Sequence, residues 1–184
     1  AIDLIPDAGA AVTGAIGLTT GDSTGAASGD VAVTTGTSGA TTTGTLTLET
    51  GASTTGGKGG ALTLSVGNAQ TGAGGGIQAT AGQTSGGAQG GFVQINGGVS
   101  APNGGQGGYI SLVSGAGTAR SSGKIVVKTV NAGTKGISGA LEFTSGASTS
   151  GNSGEIKLTT GSGVLGKSGS ISVNVGSGNT LAGG

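Results

Sequence analysis

One segment of this chain matches a motif with known chemistry. Residues 161–168 read Gly-Ser-Gly-Val-Leu-Gly-Lys-Ser and satisfy the GxxxxGK[ST] pattern of phosphate-binding loops. That pattern binds phosphate where a helix begins at the Lys, because the backbone N–H groups and the helix dipole then point at the anion. Here residues 169–173 read as another β-strand rather than a helix. In a chain with 47 glycines among 184 residues, we interpret the match as coincidental.

Metal and catalytic sites are not indicated elsewhere. Calcium-binding β-rolls combine Gly-rich turns with Asp ligands, but the comparable turn at residues 56–60 carries Lys58 where a ligand would be needed. The chain has no His and no Cys, and its carboxylates do not pair within a repeat. We therefore predict no catalytic, cofactor-binding or metal-binding residues, no cofactor, and no enzymatic activity.

Composition excludes two further classes of function. The seven basic and seven acidic residues give a net charge of zero, and no basic run is present to displace the counterions of a nucleic acid. No apolar stretch approaches the length of a membrane span. The chain starts at Ala1 and contains no Met, so we expect an initiator Met to have been removed with a signal segment. This predicts secretion, to the cell surface or the extracellular space.

The elements that must position any site are tandem repeats. Each unit reads Gly, any residue, aliphatic, any residue, apolar, two further residues, and then usually Gly. Twelve units of 15–17 residues start near residues 1, 15, 30, 45, 61, 76, 92, 109, 124, 140, 155 and 170. All but the first follow an opening glycine, and these are Gly14, Gly29, Gly44, Gly60, Gly75, Gly91, Gly108, Gly123, Gly139, Gly154 and Gly169.

Two apolar columns run through the repeats, two residues apart. The first is Ile2, Ile16, Val31, Leu46, Leu62, Ile77, Val93, Ile110, Ile125, Leu141, Ile156 and Ile171. The second is Leu4, Leu18, Val33, Leu48, Leu64, Ala79, Ile95, Leu112, Val127, Phe143, Leu158 and Val173. A spacing of two is the β-strand period, whereas no segment shows the spacing of a helix.

A strand with one apolar face can bury that face by stacking on its neighbours. The sequence therefore predicts one all-β domain over residues 1–184, a β-solenoid similar to a parallel β-helix, with no helix and no caps. One repeat per coil is our interpretation; two repeats per coil facing each other, and either handedness, remain open.

The best-matching units resemble the Gly-rich tandem repeats of β-solenoid surface and fibre proteins from microbes and phages. The matches are residues 59–67, Gly-Gly-Ala-Leu-Thr-Leu-Ser-Val-Gly, and residues 153–161, Ser-Gly-Glu-Ile-Lys-Leu-Thr-Thr-Gly. The resemblance covers nearly the whole chain and implies a rigid, extended, extracellular structure. It carries no catalytic residues to this sequence.

The functional prediction is a structural subunit that assembles head to tail into an extracellular filament by stacking solenoid ends. Joining Gly184 to Ala1 of the next copy continues the repeat; the alternative is that the chain is a fragment of a longer array. Residues 1–50 carry a net charge of −5 and residues 51–184 carry +5, which favours head-to-tail contact. Phe92 and Tyr109 share one position of neighbouring repeats and are expected to point outward as candidate lateral contacts between filaments.

Two alternatives have other functions. One is the shaft or binding module of an adhesin or phage fibre. The other is an ice-binding solenoid, although no outward pair consists of two Thr residues and charges interrupt that face.

Overall fold

The structure is a computed structural model, and it describes residues 15–54, 56–101 and 105–178. Within these ranges the chain forms neither a helix nor a β-strand. The chain divides into two compact units, Ala1–Val93 (unit 1) and Gln94–Gly184 (unit 2).

The predicted all-β solenoid is therefore wrong for the described residues. A solenoid needs two things, ladders of backbone hydrogen bonds between coils and a buried stripe of aliphatic side chains. The backbone hydrogen bonds found in the described ranges instead close loops within single repeats. No described hydrophobic side chain is buried, so the two apolar columns do not form a core. The first repeat, with Ile2 and Leu4, lies outside the described residues.

The sequence repeat is nevertheless visible in the backbone. The chain bends once in each of nine repeats, at a similar distance before the next opening glycine. The bends lie at residues 24–26, 39–41, 54–57 (with Thr55 outside the description), 70–72, 85–88, 118–120, 134–136, 149–151 and 164–166. The spacing of the bends follows the spacing of the glycines, so each repeat is a structural unit as well as a sequence unit.

Each repeat consists of a segment of constant length and a loop of variable length. We call the seven residues that begin at an opening glycine the aliphatic segment; examples are residues 44–50, 60–66 and 123–129. The aliphatic side chains stand at its third and fifth positions. The loops that join consecutive segments contain eight to ten residues, for instance residues 115–122 and 98–107. All variation in repeat length therefore lies in the loops.

The two ends of each loop lie close together. We call this closure the neck: the seventh residue of one segment, or the glycine after it, meets the opening glycine of the next segment. The N–H of Gly91 donates to the carbonyl of Gly82 at 2.9 Å, and the N–H of Gly123 donates to that of Gly115 at 2.9 Å. A closed neck makes each loop a local excursion that leaves and rejoins the chain at nearly one point.

Candidate interaction surface

The aliphatic side chains of the segments remain in contact with solvent. In the first column the exposed fraction runs from 49% at Leu141 to 66% at Ile77. In the second column it runs from 55% at Val127 to 84% at Val173. We call these two columns, at the third and fifth segment positions, the aliphatic rows. Large regular apolar surfaces of this kind mark contact sites in proteins.

The aliphatic rows differ from the apolar side chains of the loops. Val99 and Ile137 stand in loops and are 98% and 97% exposed. Most row residues are less exposed than these two, although Leu158 at 75% and Val173 at 84% overlap with the loop residue Val130 at 77%.

A third column of small residues continues the rows, and the sequence analysis did not identify it. The seventh segment position is occupied by Thr20, Thr35, Thr50, Val66, Ala81, Gly97, Ser114, Thr129, Ser145, Thr160 and Val175. It lies two residues beyond the second row, so the period of two extends across three positions. Ala81 and Ser114 are among the few described residues that are partly buried. Hydroxyl and methyl groups do not stand out in a chain rich in Ser, Thr and Ala, which is why this column was missed.

At several repeats the neck explains why the opening position is glycine. A Cβ added to Gly60 would lie 3.0 Å from the Cβ of Thr50, and one added to Gly169 would lie 3.3 Å from the Cβ of Thr160. A Cβ at Gly108 would lie 3.0 Å from the backbone nitrogen of Gly98. Contacts under 3.4 Å force a neighbour to shift. At these three positions the opening glycine is therefore a close-approach position. At five other opening glycines a Cβ would meet only ordinary contacts of 3.5–3.8 Å, and these are Gly29, Gly44, Gly123, Gly139 and Gly154.

Hydroxyl groups reinforce the loops. Thr50 Oγ1 donates to the carbonyl of Gly60 at 3.1 Å, across the neck. In two other loops a Ser side chain accepts a backbone N–H three residues later: Ser23 Oγ from Ala26 at 3.1 Å, and Ser38 Oγ from Thr41 at 3.0 Å. Such Ser turns are a local alternative to helix and strand.

Charge is divided between the two compact units. Unit 1 contains five carboxylates and one lysine, a net charge of −4. Unit 2 contains five lysines, one arginine and two glutamates, a net charge of +4. Neutrality of the whole chain thus conceals two oppositely charged halves. Contact between unit 1 of one molecule and unit 2 of another is electrostatically favourable.

Phe92 and Tyr109, which the sequence suggested as lateral contacts, are both exposed, as are the row side chains. Phe92 is 82% exposed in unit 1, and Tyr109 is 88% exposed in unit 2. Each follows an opening glycine, at the second segment position. Each aromatic ring therefore offers a large apolar surface to a partner.

The segment that matches the phosphate-binding pattern forms one complete loop, residues 161–168. No helix follows Lys167, since residues 169–178 contain none. The carbonyl oxygens of Gly166 and Lys167 approach Gly163 so closely that a Cβ there would lie 2.8 and 2.7 Å from them. Leu165 has φ 62°, in the left-handed region. Carbonyl oxygens repel phosphate, and with no helix after Lys167 the loop lacks the helix N-terminus that the motif requires.

The turn around Lys58 is formed by glycines. Gly56 and Gly57 have φ 116° and 108°, values that L-residues with a Cβ rarely adopt. Within residues 15–54, 56–101 and 105–178 there is no group of three or more His, Cys, Asp or Glu arranged to hold a metal ion. No pocket is found in that part of the molecule. Among the described residues, no helix has the length and apolar character to cross a bilayer.

Comparison with models of protein families, with curated proteins and with solved structures finds no match for this chain.

Proposed function

We propose that this chain is a structural subunit of an extracellular filament and that it assembles head to tail with copies of itself. The observation that carries the proposal is the pair of aliphatic rows. They recur in every described segment, and the chain does not bury them. An exposed apolar pattern with a fixed period is best matched by a surface of the same period, and another copy of the chain supplies one.

The size of the rows supports this proposal. Complete burial of one aliphatic side chain stabilises a contact by about 1.5–3 kcal/mol. At about 25 cal/mol per Å² of buried apolar surface, this corresponds to about 60–120 Å² per side chain. The rows contain about twenty large aliphatic or aromatic side chains, each at least 49% exposed. Together they offer about 600–1,200 Å² of apolar surface per copy, against about 800 Å² per partner in a stable interface.

The division of charge gives the assembly its direction. Unit 1 of one copy, at −4, attracts unit 2 of the next copy, at +4, whereas contacts between like units are repulsive. When copies join head to tail, a contact between two different surfaces propagates as a fibre provided that successive copies do not close into a ring. This contact does not depend on stacked solenoid ends.

Two matched variants test the proposal, with filaments observed by negative-stain electron microscopy and assembly followed by sedimentation. Ile125→Ser removes a row side chain that is 55% exposed, and Ile137→Ser removes a loop side chain that is 97% exposed. Ile125→Ser should lose about half of the free energy gained by burying one Ile side chain, which is about 1 kcal/mol. The critical concentration for assembly of this variant should therefore rise about fivefold. Ile137→Ser should assemble like the parent chain.

Either of two results would contradict the proposal. If the purified protein stays monomeric at high concentration, it does not form the proposed filament. If Ile137→Ser weakened assembly more than Ile125→Ser, nonspecific hydrophobic association, rather than the aliphatic rows, would be the cause of assembly.

A further inference from the structure

The order of loop lengths along the chain is nearly symmetric about its centre. The numbers of Gly14 and Gly169 add up to 183, and so do those of Gly29 and Gly154. The three further pairs moving inward give the same value, up to Gly75 and Gly108. If the same loop lengths were arranged along the chain in random order, few arrangements would show this mirror symmetry. Reading the chain backwards therefore gives almost the same spacing of segments as reading it forwards.

This symmetry has a direct geometric consequence. If two copies run in opposite directions with residue i beside residue 189 − i, ten of the eleven seven-residue segments face a whole segment of the other copy. The third position of one segment then faces the fifth position of the other. Leu48 faces Leu141, and Val33 faces Ile156. Only the central segment, residues 91–97, is displaced, by one residue.

We propose that the aliphatic rows bind a second copy of this chain in the antiparallel direction, as a two-fold symmetric pair. A two-fold contact uses the same surface on both partners, which requires a self-complementary pattern. The mirrored spacing supplies that pattern, and the exposed rows supply the surface to be buried. This contact lies beside the chain and would bury the same aliphatic rows on which the proposed filament depends, but it differs from the head-to-tail contact in direction and in closing as a two-fold pair.

Charge favours the antiparallel direction over the parallel one. In the antiparallel pair unit 1, at −4, lies beside unit 2 of the partner copy, at +4. The same register places Asp22 beside Lys167. A parallel pair in register would instead place each charge beside its own equivalent. Like charges in direct opposition destabilise such a contact.

The same symmetry would also suit a chain that folds back on itself at its centre. Cross-linking between two single-Cys variants separates the two cases, because a chain folded back on itself would pair positions of one molecule and give no mixed dimer. The necks on both sides of the central segment are closed like the others, with Gly91 bonded to Gly82 and Gly108 bonded to Gly98, each at 2.9 Å. The central segment thus continues the regular series of repeats.

Disulfide trapping tests the pairing, because the natural chain contains no Cys. Two full-length single-Cys variants, Leu48→Cys and Leu141→Cys, are mixed in equal amounts, oxidised mildly and analysed by non-reducing electrophoresis. The antiparallel pair predicts a mixed dimer that exceeds both homodimers by at least about tenfold, since only the mixed pair holds its thiols together. Val33→Cys mixed with Ile156→Cys should give the same result and guards against a local effect of one substitution.

A mismatched mixture, Leu48→Cys with Leu112→Cys, is the control and should cross-link no more than either variant alone. Homodimers from each single variant would indicate a parallel pair and overturn the proposal. Equal cross-linking in the matched and mismatched mixtures would overturn it as unspecific. If filaments form but the mixed dimer does not, the antiparallel pair is refuted and the proposed filament is not. If the mixed dimer forms but filaments do not, the filament is refuted and the antiparallel pair is supported.

Discussion

Replacement of the opening glycines by alanine should open individual necks in a graded way. Three necks are suited to the comparison because each has the same 2.9 Å backbone hydrogen bond, donated by Gly91, Gly108 or Gly123. None of these glycines has φ in the left-handed region. The effect of an added Cβ is therefore steric contact alone.

The contacts differ in a way that the structure defines. At Gly108 the nearest atom to an added Cβ is the backbone nitrogen of Gly98 at 3.0 Å, and at Gly91 it is that of Gly82 at 3.1 Å. Backbone atoms cannot rotate away, so the neck must widen. At Gly123 the nearest atom is the Cβ of Ser114 at 3.5 Å, which is an ordinary contact.

Loss of one hydrogen bond of this kind weakens the closed state by about 0.5–1.5 kcal/mol, or about two- to twelvefold in the ratio of open to closed necks. Gly108→Ala and Gly91→Ala should lower hydrogen-exchange protection of the substituted amide by this factor, after correction for the intrinsic exchange rate. Gly123→Ala should keep its protection or gain slightly, because alanine restricts the open chain by about 0.4–1 kcal/mol. Nuclear magnetic resonance gives the exchange rate at each amide. Equal loss at all three positions, or loss only at Gly123, would refute the steric account of the neck.

Four other outcomes follow from the same features. Assembly should weaken in 1 M NaCl relative to 0.1 M, because the screening length falls from about 10 Å to about 3 Å; turbidity that is independent of salt would contradict charge-directed contact. The double variant Phe92→Ser, Tyr109→Ser should form filaments that bundle less in electron micrographs, and unchanged bundles would exclude the aromatics as lateral contacts. Ser38→Ala removes the oxygen that accepts the Thr41 N–H. Loss of this hydrogen bond, worth about 0.5–1 kcal/mol, should speed hydrogen exchange of the Thr41 amide about two- to fivefold. The control Ser121→Ala should leave exchange of the Thr41 amide unchanged. Calorimetry with ATP and Mg²⁺ should show no binding to residues 161–168, and saturable heat would restore the phosphate-binding interpretation.

The repeat could be predicted from sequence because glycine and two aliphatic residues recur at fixed positions. The same pattern misled the prediction of fold. A period of two, as at Ile125 and Val127, specifies which side chains share a face but does not specify which chain covers it. We assigned the partner strands to the neighbouring repeats, whereas the structure leaves both side chains half exposed.

The neck could not be read from single repeats. Its signal is a relation between two positions in different repeats, such as Thr50 and Gly60, and one of the two is a common small residue. The constant seven-residue segment was visible in the spacing, but only the closed necks show why length varies in loops alone. Phe92 and Tyr109 are exposed, but row side chains such as Val173 are exposed to the same degree, so the outward placement of the two aromatics stays a prediction.

The closure of each loop at its neck has a practical consequence for engineering. Because the ends of residues 98–107 are held together by the Gly108–Gly98 hydrogen bond, an inserted peptide need not disturb the stretches on either side. Doubling the length of a closed loop costs only about 0.6 kcal/mol. An epitope or enzyme tag placed there would be displayed at regular intervals along any assembly that the chain forms, which makes this molecule a candidate scaffold for ordered presentation of foreign sequences.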